Sequence, residues 1–141
     1  HISLEEADLP DMLIPVPLHG LRMISRGFNQ AYELATYAAR VLSLDLQADA
    51  IRRKRHTRAQ SGLSRKQRRQ NLRGAFSWHG PRKPARHVAL VDDVMTTGTT
   101  VTECARVLKR AGAKRVDVWV AARAVPAHHP VGTRAISQSR K

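Results

Sequence analysis

The apolar positions along this chain change period repeatedly, and each change marks an element. Met12–Leu18 (MLIPVPL) is a short apolar run interrupted by Pro15 and Pro17, which predicts an edge strand or a strand running into a loop. Asn29 is a candidate N-cap. Behind it Leu34, Ala35, Ala38, Val41 and Leu42 recur at three- and four-residue spacing, so a helix is predicted to about Leu42. Leu46–Ile51 and Ala75–Trp78 read as brief strands. Between them, Ser64 followed by Gln67 is a capping-box pattern that predicts a short, very basic helix over Arg65–Leu72.

The second half has a firmer rhythm. His87–Val91 (HVALV) is apolar without alternation, as expected of a central strand buried on both faces. Asp92–Thr99 then reads as a polar turn. A helix follows to about Ala111, with Val101, Cys104, Ala105, Leu108 and Ala111 on one face and Gly112 as its C′ glycine. Val116, Val118 and Val120 alternate with Asp117 and Trp119, which is strand periodicity. Strand, turn, helix and strand at this length form a βαβ unit with parallel strands. The expected fold is α/β: a single domain over residues 12–124, with a mostly parallel sheet flanked by helices. An acidic segment, 1–11, precedes it, and an aperiodic tail, 125–141, is predicted to be flexible.

Composition supports one globular domain: 141 residues, 42% hydrophobic. Charge changes the picture more. The chain carries a formal +14, and Ala50–Val91 alone holds 13 Lys/Arg with no Asp or Glu. The partner implied is an anion: phosphate, pyrophosphate, nucleotide or nucleic acid. Aromatic residues make up only 4%, so stacking platforms for single strands are few. No apolar run is long enough to span a bilayer, so no membrane insertion is expected. No signal peptide is visible, and a cytoplasmic location is the default. Cys104 is the single cysteine, which excludes an intrachain disulfide and a cysteine zinc cluster; on the apolar helix face it reads as a buried small hydrophobe.

Candidate chemistry concentrates in Val88–Val101, V-A-L-V-D-D-V-M-T-T-G-T-T-V. A buried strand delivers two adjacent carboxylates, Asp92 and Asp93, at its C-terminal end, where open α/β sheets bind ligands. A Thr/Gly loop then opens a helix. Backbone N–H groups of Thr97, Gly98, Thr99 and Thr100 are suited to a phosphate there, with hydroxyl donors beside them. Carboxylates next to a phosphate cradle make sense if they grip sugar hydroxyls, or a metal that also holds phosphate. A phosphate and a diol at that separation describe a ribose 5-phosphate.

This stretch resembles the phosphoribosyl-pyrophosphate (PRPP) signature of type I phosphoribosyltransferases: four apolar residues, two acids, an apolar pair, then T-T-G-x-T. The resemblance implies the type I phosphoribosyltransferase fold, with Asp92 and Asp93 on the ribose hydroxyls as the catalytic pair. It likewise implies that Thr96, Thr97, Gly98, Thr99 and Thr100 cradle the 5-phosphate. I-P-V-P-L-H at Ile14–His19, R-G-F-N-Q-A-x-x-L-A at Arg26–Ala35 and T-x-x-Q-S-G-L-S-R-x-x-R-x-x-N-L-x-G-A-F at Thr57–Phe76 are similar to the ComF/GntX family. These competence-associated, amidophosphoribosyltransferase-like proteins are linked to use of external DNA. Many members begin with a four-cysteine zinc ribbon. This chain has none and opens on His1, which leaves room for an upstream region.

From the resemblance, the loop after the first strand meets pyrophosphate, making Arg22 and Arg26 candidates; solvated surface arginines are the plainer reading. A basic mobile loop over Arg52–Arg73 would close on the site, with Arg53, Lys54, Arg55 and Arg58 facing pyrophosphate. A solvated charge run remains the alternative. Arg65, Lys66, Arg68, Arg69 and Arg73 exceed what one PRPP needs and are candidates for single- or double-stranded DNA. Phe76, Trp78, Tyr32, Tyr37 and Trp119 read as packing residues. The implied cofactor is Mg2+ carried with PRPP. Implied partners are PRPP or a nucleotide, a competence protein, and a second copy in a homodimer. Two functions stand: phosphoribosyl transfer to an acceptor with release of pyrophosphate, or a non-catalytic PRPP- or nucleotide-sensing module that binds DNA or a competence partner.

Overall fold

A computed structural model of the chain describes residues 8–17, 29–53, 64–95, 98–123 and 137–140. Its elements run β1 (Met12–Pro15), α1 (Gln30–Leu42), β2 (Asp45–Leu46), β3 (Ile51–Arg53), α2 (Arg65–Leu72), β4 (Phe76–Trp78), β5 (His87–Met95), α3 (Thr99–Ala111), β6 (Arg115–Arg123) and β7 (Ser137–Arg140). The main sheet has the order β2-β1-β5-β6-β7. Its first three pairings are parallel and the last is antiparallel. β3 and β4 form a separate antiparallel pair. The result is α/β, as the βαβ rhythm predicts.

Both faces of the main sheet are covered, which is what parallel strands require. On one face Ile14, Val88, Leu90, Val116, Val118 and Val120 pack with Val101, Cys104, Ala105 and Leu108 of α3, and Phe76 of the small sheet joins them. On the other, Leu13, Ala89, Val91 and Trp119 meet Ala35 and Ala39 of α1. The side-chain alternation along β5 is therefore explicit: even positions face α3 and odd positions face α1.

Local signals hold well at the helices. Asn29 caps α1 by accepting from the Ala31 and Tyr32 amides at 2.9 and 3.4 Å. Ser64 and Gln67 form the reciprocal capping box of α2, at 2.8 and 3.1 Å. Gly112 ends α3 with φ 129, a backbone that only glycine takes without strain.

The strands differ from expectation in four places. β1 is not an edge strand, since β2 lies outside it. Leu13 accepts from Gln47 on that side at 3.0 Å and Val16 donates to Val91 on the other at 2.8 Å. Pro15 therefore turns its missing donor toward β2, which has already ended at Leu46. The Leu46–Ile51 segment resolves into two short strands in different sheets. β5 does not turn at Asp92 but continues to Met95, because β6 runs alongside and pairs with it to Arg123. Ser137–Arg140, inside the tail predicted to be flexible, pairs with β6 from Val120 back to Asp117.

Two further expectations change. Tyr32 and Tyr37 are exposed rather than packed. Arg52 and Arg53 lie in β3 and Arg65–Leu72 in α2, so the basic stretch is not a continuous loop. Asp117, in the alternating run of β6, is fully buried, because a strand covered on both faces has no solvent side.

Candidate functional site

The C-terminal end of β5 carries the two carboxylates. Asp92 still pairs in register with Val120, and Val94 with Ala122, so both acids belong to the strand. They consequently point to opposite faces: Asp92 to the α3 side, after Val88 and Leu90, and Asp93 to the α1 side, after Ala89 and Val91. Both are half-buried. The Asp92 carboxylate accepts the Asp93 amide at 2.9 Å, which fixes its orientation. Val94 is 47% exposed, an apolar floor beside the acids.

Three residues beyond β5, the chain reaches Gly98, the N-cap of α3. Its φ of 79 and ψ of 6 are left-handed, and it supplies no side-chain cap to the helix. The Gly98 carbonyl accepts from both the Thr102 amide, at 2.9 Å, and the Thr102 hydroxyl, at 2.8 Å. Thr99 is buried and Thr100 half-buried in this first turn, which contains no acid; Lys109 and Arg110 occupy the last turn. The positive end of the helix dipole thus sits one short loop from the carboxylates, an arrangement suited to a phosphate. Thr96 and Thr97 lie outside the described residues.

Of the pyrophosphate candidates, Arg53 is described. It faces Phe76 across the β3–β4 pair, with its guanidinium carbon 5.1 Å from the ring centroid. Arg22, Arg26, Lys54, Arg55 and Arg58 lie outside the described residues. Of the nucleic-acid candidates, Lys66 and Arg73 are exposed. Arg65, Arg68 and Arg69 sit on α2, and their side chains are outside the described set. α2 is held by the fully buried Leu72 and packs against α3. On α3, Lys109 and Arg110 are exposed too, and the Lys83 side chain lies by Gly112. The basic surface therefore extends past the segment that composition marks.

Cys104 is fully buried on α3. Burial pushes its thiol pKa up, Asp92 adds to the rise and Arg53 opposes it, so it is not a nucleophile. Trp78 packs at the edge of the core and donates its indole N–H to the Arg82 carbonyl at 2.9 Å.

A second cluster, at the other end of β5, is less visible in the sequence. His87 Nε2 lies 2.8 Å from Asp117 Oδ2, and Arg115 Nε donates to Asp117 Oδ1 at 3.2 Å. Arg115 also pairs with Asp8. Burial raises the Asp117 pKa, but the hydrogen bonds and charges of His87 and Arg115 outweigh it and hold the carboxyl below its ordinary range. The one available signal was an acid inside the valine run of an inner strand.

A phosphoribosyl transferase domain family model matches residues 10–137. The chain belongs to the phosphoribosyltransferase family. It is 45% identical over 118 residues to Competence protein F of Haemophilus influenzae, covering 82% of this chain and 52% of that one. To DNA utilization protein YhgH of Escherichia coli O157:H7 it is 46% identical over 111 residues, covering 79% and 48%. Competence protein ComFC of Streptococcus pneumoniae is 35% identical over 106 residues, covering 75% and 45%. The chain is similar to these competence and DNA utilization proteins and spans about half their length. A purine phosphoribosyltransferase from Pyrococcus horikoshii superposes with a TM-score of 0.48 at 22% identity, over 84% of this chain and 67% of that one. Among the described residues, no helix is long and apolar enough to cross a membrane.

Proposed function

We propose that this phosphoribosyltransferase domain binds PRPP in the cytoplasm and transfers its phosphoribosyl group to an acceptor, releasing pyrophosphate. The observation that carries the proposal is the pair of half-buried carboxylates at the end of a central parallel strand, followed at once by a helix start without a side-chain cap. In this reading the 5-phosphate rests on Thr96–Thr100. Backbone amides and the helix dipole hold it without a basic side chain. A ribose lying across the strand end meets Asp92 on the α3 side and Asp93 on the α1 side, one hydroxyl to each. The Asp93 amide keeps the Asp92 carboxylate oriented during this contact. The chain's contribution is to fix C1 of the sugar between leaving group and acceptor, so that binding supplies the orientation entropy.

Magnesium fits as part of the PRPP complex. Among the described residues, no three His, Cys, Asp or Glu side chains form a metal cage. A strand-end carboxylate suits a hard cation that draws its other ligands from water and phosphate. Asp92 or Asp93, which point to opposite faces, would hold it, and when bound it would offset charge on pyrophosphate.

Calorimetry with Mg-PRPP tests the site. Asp92→Asn with Asp93→Asn should weaken binding by about a hundredfold or more, equivalent to about 2.7 kcal/mol. Unchanged affinity overturns the assignment. Pyrophosphate release from PRPP across a panel of bases then tests transfer; PRPP binding without release with any base favours a sensor.

The exposed cations favour an additional partner. Lys66 and Arg73 on the α2 side, with Lys109 and Arg110 on the adjoining α3, suit the phosphate backbone of DNA. The names of the relatives, competence and DNA utilization, support this reading. Such binding should weaken steeply with salt and fall when Lys66 and Arg73 become Gln. A salt-independent signal would argue against it.

A further inference from the structure

α1 places its apolar residues in a way that the sheet alone does not explain. The positions it buries are all alanine: Ala31, Ala35 and Ala39. Larger apolar side chains lie outward or at the flank, with Tyr37 67% and Val41 58% exposed and Leu34 half-buried. Among the described residues, Val94 at the candidate site is the one exposed large hydrophobic outside α1. Gln30, Leu34, Tyr37 and Val41 follow one another at spacings of four, three and four residues. That is a short heptad seam, with Gln30 and Tyr37 at d and Leu34 and Val41 at a; Tyr32 lies off this line. A stripe so narrow, on the outside of a helix, is the kind that meets another helix.

The charges beside the seam indicate the partner. Glu33 and Arg40 are exposed, and both hold the g position, next to a. Seven residues set them about 10 Å apart along the axis, too far to pair with each other. Consider two copies of α1 side by side and antiparallel, with Leu34 of each against Tyr37 of the other. Gln30 then meets Val41, and each Glu33 falls beside the Arg40 of the other copy. Seam and charges reach this register independently, and one twofold axis satisfies both. α1 is also the described helix on which charge balances: one acid and one base, against four bases and no acid on α2 and three bases and one acid on α3. A chain of formal charge +14 meets its own copy with least repulsion there, and a polyanion has no reason to prefer that face.

We propose that the outer face of α1 is the docking surface for a second copy of this chain, packed antiparallel about a twofold axis with Leu34 against Tyr37 and Glu33 against Arg40. A contact three turns long covers less than the roughly 800 Å² per partner of a stable interface. The dimer is therefore weak and depends on concentration. It does not depend on the PRPP reading.

Sedimentation equilibrium of the full chain from about 10 μM to about 1 mM tests it, with thermal melting to confirm the fold of each variant. Wild type should pass from monomer toward dimer across that range. Glu33→Arg and Arg40→Glu each set like charges across the axis and should weaken association about tenfold, although they shift net charge in opposite directions. An equimolar mixture of those two variants restores opposite charges at each contact and should associate at least as tightly as wild type. Tyr37→Lys, which removes the largest apolar contact, should weaken association about tenfold or more. Arg110→Glu on α3 should not weaken it. A chain that stays monomeric at the highest concentration overturns the proposal. Association that neither Tyr37→Lys nor the charge reversals weaken also overturns it, since the interface then lies elsewhere. A mixture no tighter than its two components overturns the antiparallel register, and the proposal with it.

Discussion

The two ends of β5 handle carboxylates in opposite ways. At the first residue, His87 meets Asp117, which is fully buried and held by His87 and Arg115 at 2.8 and 3.2 Å. At the far end, Asp92 and Asp93 are half-buried, point to opposite faces, and are followed by a helix start that offers amides. The same side-chain chemistry is fold at one end and candidate site at the other. The difference is enclosure: a carboxylate sealed in with its hydrogen-bond partners adds a constraint on folding, while carboxylates at an open strand end meet whatever ligand completes them.

The largest effect that separates the two ends is on stability. Asp117→Ala leaves His87 and Arg115 without their shared acceptor and should cost about 3 kcal/mol, read by urea unfolding. The Asp92→Asn, Asp93→Asn protein should melt like wild type while losing Mg-PRPP. If the double Asn variant were as unstable as Asp117→Ala, the contrast would fail. pH gives a second reading of the same end. The Asp117 pKa is depressed in the folded chain, so its stabilisation is fully present above the ordinary carboxylate value of about 4 and is lost as pH falls through the folded value. The stability gap between wild type and Asp117→Asn should therefore be constant near neutrality and narrow below about pH 4. A gap that widens in acid would contradict the assignment.

Next in size is the phosphate end. Gly98 holds φ 79, so Gly98→Ala forces a β-carbon into left-handed backbone at a cost of about 1–2 kcal/mol. Affinity for ribose 5-phosphate should fall together with stability, because the strained turn also aims the amides. Loss of stability with full affinity would show that the ligand does not use this turn.

The end that carries the candidate site was legible in the sequence and the Asp117 end was not, for a physical reason. V-D-D-V-M-T-T-G-T-T is contiguous, and contiguous residues carry their geometry with them: strand, acids, left-handed glycine, helix. The caps at Asn29, Ser64 and Gly112 were legible on the same ground. His87 and Asp117 are 30 residues apart and meet only because β5 and β6 pair in parallel. Alternation along V-D-V-W-V cannot tell a solvent face from a face covered by a second layer. Pairing also carried β5 past the acids to Met95, and it ordered Ser137–Arg140 in a segment without period. Arg53 was singled out for its charge, but its place over Phe76 depends on β3–β4 register, which no short motif encodes.

The smallest effect tests where enclosure ends. Asp8 pairs with Arg115 and lies 4.0 Å from His87 Nδ1, and its hydrogen bond is the main cause raising the Arg115 pKa. By contact alone it belongs to the Asp117 cluster. Its side chain, however, is 63% exposed, so water screens the attraction and solvates whichever partner is left behind. Asp8→Asn should therefore shift the melting temperature by no more than about a degree. That shift should shrink further in high salt, whereas the loss in Asp117→Ala should not. A cost for Asp8→Asn comparable to Asp117→Ala would extend the sealed cluster to the segment before β1. The dividing line between fold and site would then depend on the number of fixed partners rather than on burial.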